Sequence, residues 1–377
     1  MSNEYRMCTR CVMDTTANDI VFDEGGVCSY CTEFLERSSH VIFQNPETRR
    51  KELDDLVRRI KKDGEGKRYD CVVGVSGGVD SSWVLVKAVE LGLRPLAVHM
   101  DNGWNSELAQ NNIANLVRKL GVDLYTHVID WNEYRRLMQA FFDADVIDVE
   151  LLTDNAIHGL LYRQASKHGT RFILAGMNQA TEGMRMPSNW NWMKMDARNI
   201  RALGKRFGNI PLHTFPAIGT VGFIWNEFIR RIRMLSVLDF MEYNKADVLE
   251  TLQREYGYKP YPYKHYESVF TRFYQGYILP EKFGVDKRKL HLSTLITSGQ
   301  MTRLEALQSL EGIPYPSMEE LEQDKRYFLK KMGWTELQLQ QYISRPEKAH
   351  DTYPSEKNLW RLCLGVYKKT QNKRSES

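Results

Sequence analysis

The chain has 377 residues, enough for two or three domains, with 42% apolar and 27% charged residues, the balance of a soluble globular protein. Its formal net charge of +4 gives no reason to expect a nucleic-acid binder, and no apolar run approaches the roughly 18 residues of a membrane-spanning helix. The polar opening Met1 to Arg10 does not read as a signal peptide, so a cytoplasmic location is expected, with cysteines reduced or metal-bound rather than paired.

Four of the six cysteines fall in residues 1–40, where little apolar periodicity promises a core. Cys8-x2-Cys11 and Cys28-x2-Cys31 are separated by sixteen residues, the spacing of a four-cysteine structural zinc site. Each pair forms a knuckle aiming two thiolates at one ion; an iron–sulfur cluster takes the same four ligands. Residues 46–63 read as a charged helix that Pro46 opens and Gly64 ends, with Leu53, Leu56, Val57 and Ile60 on one face.

From Tyr69 the pattern becomes strand, loop, helix. Strands are expected at 69–75, 93–100, 124–129 and 171–175, with helices at about 82–91, 107–120 and in stretches over 134–168. Such alternation predicts an α/β fold, a doubly wound parallel sheet whose ligands bind at the carboxyl ends of the strands. Cys71 lies in the first strand and Cys363 in an apolar helical segment, so both read as core residues. Residues 177–220, rich in Met, Trp and Asn, look like a substrate-covering insertion, and Trp190 and Trp192 there either floor a sugar site or pack within a lid. From Phe223 the chain reads as mainly helical, with helices at 244–256 and 323–332. Three parts follow: 1–40, the zinc module; 41–260, the nucleotide domain; 261–377, a helical region for substrate or partner binding. The basic tail Lys368 to Arg374 reads as a solvated terminus.

The sharpest motif is Ser76-Gly77-Gly78-Val79-Asp80-Ser81-Ser82, directly after the first strand. Glycines let backbone N–H groups close on an anion, the following helix adds its positive end, and the serines add hydroxyl donors. Asp80 beside a polyphosphate makes sense with a cation between them, so it is expected to ligate magnesium. Neither the Walker A pattern nor G-x-G-x-x-G is present. S-G-G-x-D-S after a strand is similar to the PP-loop of ATP pyrophosphatases, the superfamily of GMP, NAD and asparagine synthetases and of tRNA-thiolating enzymes. That resemblance implies cleavage of ATP between its α and β phosphates. It also implies that the region of His99, Asp101 and Asn102 reads adenine and ribose, and that the loop of Gly176, Asn178, Thr181 and Glu182 contacts the nucleotide. Glu182 would share the metal and Lys245 would steady the phosphates. Helix capping by Asp101 and Asn102, a first-turn acid at 182 and a surface lysine at 245 are the plainer alternatives.

The openings Cys8-Thr9-Arg10-Cys11-Val12-Met13-Asp14 and Gly25-Gly26-Val27-Cys28-Ser29-Tyr30-Cys31, with the segment from His265 to Arg303, resemble the N-acetyl sugar amidotransferases of the WbpG and PseA type. The resemblance implies an acetamido sugar substrate, a nucleotide-linked uronic acid or a nonulosonic acid, destined for lipopolysaccharide O-antigen or flagellin glycan. Its N-acetyl carbonyl would be adenylated and ammonia would displace AMP to give an acetamidino group. ATP, magnesium and zinc would serve it. Ammonia would come from a separate glutaminase of the histidine-biosynthesis type through a cyclase-like barrel partner. Arg272, Lys287 and Arg288 would meet phosphate or the sugar carboxylate, or merely face solvent. A tRNA-thiolating enzyme and a non-catalytic zinc and nucleotide module remain as alternatives.

Overall fold

The computed structural model describes residues 4–261 and 266–365. The tail from Lys368 to Arg374 and His265 lie outside them. Two helices come first, α1 (Ser29–Ile42) and α2 (Pro46–Gly64). α2 starts where its sequence says: Asn45 Oδ1 accepts the Glu47 N–H at 2.8 Å, and Leu56, Val57 and Ile60 are buried. Strands and helices then alternate through β1 (Cys71–Gly74), α3 (Val79–Glu90), β2 (Pro95–Asp101), α4 (Glu107–Leu120), β3 (Asp123–Val128), α5 (Trp131–Asp143), α6 (Leu151–His168), β4 (Phe172–Ala175) and the short α7 (Gln179–Glu182). The insertion carries α8 (Ala197–Gly208) and α9 (Thr220–Ile224), and β5 (Arg233–Ser236) and α10 (Lys245–Tyr256) follow.

Beyond these come α11 (Val269–Phe273), a π-helical turn Tyr274–Ile278 and α12 (Leu279–Phe283) in one continuous run. α13 (Arg288–Thr297), α14 (Arg303–Leu310), α15 (Met318–Met332) and α16 (Glu336–Ser344) complete the helical C-terminal region.

All five strands are parallel, in the order β3-β2-β1-β4-β5. The order reverses between β1 and β4, and a ligand crevice opens at such a point beyond the carboxyl ends. The sheet separates two cores. Val72, Leu96, Val98 and Ile173 face one, while Cys71, Val73, Ala97 and Leu174 face the other, as the two-residue period requires. The first core runs without a break from Cys8 and Cys31 through the sheet to Phe328, Tyr342 and Tyr353.

Three elements differ from expectation. α3 begins at Val79 rather than near 82, so Asp80 and Ser81 lie in its first turn. α8 stands inside the insertion, capped by Asp196, whose Oδ1 accepts the Asn199 N–H at 2.9 Å. β5 occupies a stretch read as helical. Its four residues, Arg233 to Ser236, carry almost no β pattern and are extended because they pair with β4.

Buried polar groups pin the insertion. Glu133 accepts the N–H groups of His213, Thr214 and Phe215 at 2.9–3.1 Å. Asn155 donates to the carbonyls of Lys194 and Ile218 and accepts the Ile218 N–H. His350 accepts the Asp148 N–H on Nε2 at 3.1 Å and donates from Nδ1 to Asn199 Oδ1 at 2.9 Å, the pattern of a neutral ring. Burial pushes its pKa down to about 4. Its stabilising share is therefore present above the ordinary value near 6.5 and lost as the pH falls toward 4, amounting to about 3 kcal/mol at most. Chemical unfolding between pH 7 and 4.5 should show that decline, and His350→Gln should flatten it. A decline of the same slope in the variant would remove His350 as its source.

Candidate active site

β1 ends at Gly74 and the chain turns through Ser76 to Gly78 into α3. Gly77 has φ +86°, and a Cβ there would lie 2.8 Å from the Ala109 carbonyl oxygen, so only glycine fits. Ser76 Oγ accepts the Gly78 N–H at 3.2 Å and lies 3.1 Å from Ser81 Oγ, which closes the turn on itself. Two phenols hold it from behind: Tyr258 and Tyr261 each donate to the Gly77 carbonyl at 3.0 Å. Tyr243 donates to Asp80 Oδ1, and burial followed by that carboxylate raises the phenol's pKa. From the other side Gly176, just past β4, comes so near that a Cβ would lie 2.9 Å from the Ser81 nitrogen.

The turn opens into a cavity of about 710 Å³. Ser76, Gly78, Val79, Asp80 and Ser81 line one end, joined by His99, Asn102, Gly176, Glu182, Lys245 and Glu267. Gly77 and Ser82 are not among the lining residues. Gly77 underlies the turn against Ala109, and Ser82 is buried in α3. His99 donates from Nδ1 to the Val75 carbonyl at 2.9 Å and accepts Asn105 Nδ2 on Nε2 at 3.1 Å, and burial lowers its pKa, so a neutral ring joins β2 to the loop. Asn102 donates to Tyr134 and Thr153.

Several expected contacts fall elsewhere. Asp101 accepts the Gly103 N–H at 2.8 Å and is not part of the lining. Asn178 is buried and caps α7 through Thr181, and both lie beneath the cavity. The proposed cluster of Arg272, Lys287 and Arg288 divides. Lys287 lines the cavity, but Arg272 is gripped by both oxygens of Asp324 and stacks 4.1 Å over Tyr266. Arg288 is held by Asp286 and by the carbonyls of Ser309, Leu310, Gly312 and Ile313. Arg272 stands on α11 while Lys287 and Arg288 open α13, and the three cations end on different partners, so they do not share one ligand. Trp190, which donates to Thr16 O, and Trp192, which donates to Asp196, pack the insertion and do not floor the cavity.

Sequence reading missed the far end. Glu150, Asp154 and His158 lie at four-residue spacing and present a polar stripe from α6 to the cavity. Lys194 reaches in from the insertion, Thr271 and Gln275 from the π-helical run, and Lys287 and His291 from α13. The four-residue repeat of polar groups in an otherwise buried helix was the available signal.

Among the described residues one group of side chains is placed to hold a metal ion. Cys8, Cys11, Cys28 and Cys31 have all four sulfurs within 4.8 Å of one another, with Cys11 and Cys28 3.7 Å apart. A tetrahedral zinc with 2.3 Å bonds asks for edges of roughly 3.8 Å. Backbone N–H groups of Arg10, Cys11, Met13 and Cys28 point at these sulfurs at 3.2–3.4 Å, as thiolates require, so the donors fit the metal. At the loop, Asp80, Glu182, Glu267 and Lys245 line the same cavity.

The strand order, the SGGVDSS turn and the cavity at the switch point make an α/β fold with a turn of the PP-loop type at its ligand crevice. Residues 267–367 match the family model described as LPS biosynthesis protein WbpG-like, C-terminal domain. Two solved structures show similarity to part of the chain. One is NMN synthetase from Francisella tularensis, 13% identical, with 58% of this chain and 89% of that chain covered and a TM-score of 0.30. The other is an NH3-dependent NAD synthetase from Campylobacter jejuni in complex with nitrate, 14% identical, with 56% and 84% covered and a TM-score of 0.30. Among curated proteins none matches the chain.

Two outcomes follow from this geometry. Tyr243→Phe removes the phenol hydrogen bond to Asp80, so the magnesium concentration for half-maximal pyrophosphate release should rise by roughly tenfold while affinity for the nucleotide changes little. An unchanged magnesium requirement would show that the phenol does not orient Asp80. The cysteine module shares one core with the sheet and the C-terminal helices. Its removal by chelator or by Cys28→Ser should therefore lower a single melting transition by roughly 5 °C or more. Two separate transitions in calorimetry would contradict a shared core.

Proposed function

We propose that the chain adenylates the carbonyl oxygen of an acetamido sugar with ATP and lets ammonia replace that oxygen, forming an acetamidino sugar for a bacterial surface polysaccharide. The supporting observation is that the WbpG-like segment supplies Thr271, Gln275, Lys287 and His291 to the same cavity into which the phosphate turn opens. The name of that family, an LPS biosynthesis protein, supports the destination.

An amide oxygen is a poor leaving group. Its lone pair attacks the α phosphorus of ATP, the bond to the β-phosphate oxygen breaks, and pyrophosphate departs into the turn. The N–H groups of Val79 to Ser81 at the N-terminal end of α3 meet that anion, and Lys245 adds a cation. Asp80 and Glu182 would hold magnesium, which when bound would neutralise charge on the polyphosphate. Ammonia then adds to the activated carbon and AMP leaves with the original oxygen. Neutral ammonia is itself nucleophilic, so the chain's task is to hold two substrates in line and keep water out. Ammonia from a separate glutaminase through a barrel partner completes the reading.

With ATP, magnesium, ammonium and an acetamido-uronic nucleotide sugar, the purified chain should release pyrophosphate and yield a product about one dalton lighter, because NH replaces O. Asp80→Ala should reduce that turnover at least about a hundredfold. Full turnover by this variant, or thiolation of tRNA in place of the mass change, would end the assignment. Glutamine should support turnover only when the partners are added, and turnover of glutamine by the chain alone would refute the division of labour.

A further inference from the structure

The end of the cavity away from the turn is built from charges of alternating sign. Lys287 Nζ lies 2.6 Å from Glu150 Oε2, both side chains 9% exposed, and Gln275 donates to the two oxygens of Glu150 at 2.9 and 3.1 Å. Beside them Lys194 bridges Asp148 at 2.6 Å and Asp154 at 2.9 Å. Burial alone would raise the Asp148 carboxyl, but Lys194 and Lys287 outweigh it and hold it below its usual range. Buried ion pairs like these are commonly matched or bettered in stability by apolar residues of the same size, so two of them side by side on a cavity wall call for another reason.

Among the described lining residues there is no Phe or Trp, and Tyr261 turns its hydroxyl to the phosphate loop. A flat aromatic acid would find no phenyl or indole face to stack on. The four charges Glu150, Asp154, Lys194 and Lys287 balance one another, so this group has no surplus positive charge of its own to hold a phosphate. It offers carboxylate acceptors next to ammonium donors, and a hydroxyl group is both donor and acceptor. We infer that Asp154, Lys194, Glu150 and Lys287 are the specificity-determining wall for the second substrate, and that they read the ring hydroxyls of a sugar. Asp154, whose side chain is 40% exposed, is the acceptor with most of its surface free for a ligand. His158, one turn further along α6, donates from Nδ1 to the Asp154 carbonyl at 2.7 Å and borders the same space. This assignment rests on the reaction proposed above and adds the residues that choose its substrate.

The test uses UDP-2-acetamido-2-deoxyglucuronate as the probe, with α,β-methylene ATP for the nucleotide site. Asp154→Asn should weaken binding of the sugar by about tenfold or more and raise its KM in step, because a hydroxyl loses its charged acceptor. Asp154→Glu should recover part of the loss, and His158→Ala should show a smaller effect. Affinity for the ATP analogue should stay within about twofold in every variant, as the phosphate turn is untouched, and this measurement also shows that each variant folds. Wild-type binding of the sugar in both variants would overturn the wall while leaving the reaction standing. Failure of the wild-type chain to bind the sugar or to release pyrophosphate on it would sink the reaction, and this assignment with it.

Discussion

Everything at the catalytic end hangs on one left-handed residue. Gly77 turns the chain at φ +86° against the backbone of α4, and no side chain fits between its Cα and the Ala109 carbonyl. The turn places the first N–H groups of α3 toward the cavity and puts Asp80 in the first helical turn. Its carbonyl would otherwise be left without a partner in the interior, and the hydroxyls of Tyr258 and Tyr261 satisfy it. The loop is therefore held by residues nearly two hundred positions away, and its shape depends on the packing of the segment that follows α10 as much as on its own glycines.

The second constraint is the placement of α13. One of its faces meets the cysteine module: Ser293 Oγ accepts the Val12 N–H at 3.2 Å, Thr297 Oγ1 lies 3.7 Å from Cys31 Sγ, and Lys289 pairs with the buried Asp14. Arg303, at the start of α14, donates to the Cys8 and Cys11 carbonyls at 3.1 Å. Its other face carries His291 to the cavity, with Lys287 at its N-terminal end. α1 does the same for α7, since Ser38 donates to Gln179 at 2.7 Å and Arg37 reaches the Gly183 carbonyl. The module that looks like a separate appendage along the chain thus braces two helices that line the cavity.

Much was legible in the sequence because it is written locally. Turn glycines, the S-G-G-V-D-S-S string and the cysteine spacing each act within a few residues, so the loop, the parallel sheet and the metal knuckles follow from neighbours in the chain. The helix at 107–120 appears with the predicted bounds because Ser106 caps it, accepting the Ala109 N–H, and Gly121 ends it in the left-handed conformation.

What only the tertiary structure decided is which distant groups meet. A basic triplet such as Arg272, Lys287 and Arg288 reads as one site along the chain, yet helix geometry sends one to Asp324, one to Asp286 and one to the cavity. β5 is a strand by pairing with β4 rather than by composition. The polar wall of Glu150, Asp154, Lys194 and Lys287 joins residues from three separated segments, each unremarkable alone. Local sequence sets what a backbone turn can bind, because the turn's own φ, ψ and N–H groups do the binding. A substrate wall made of side chains exists only once folding has brought the segments together, so its specificity resides in the packing.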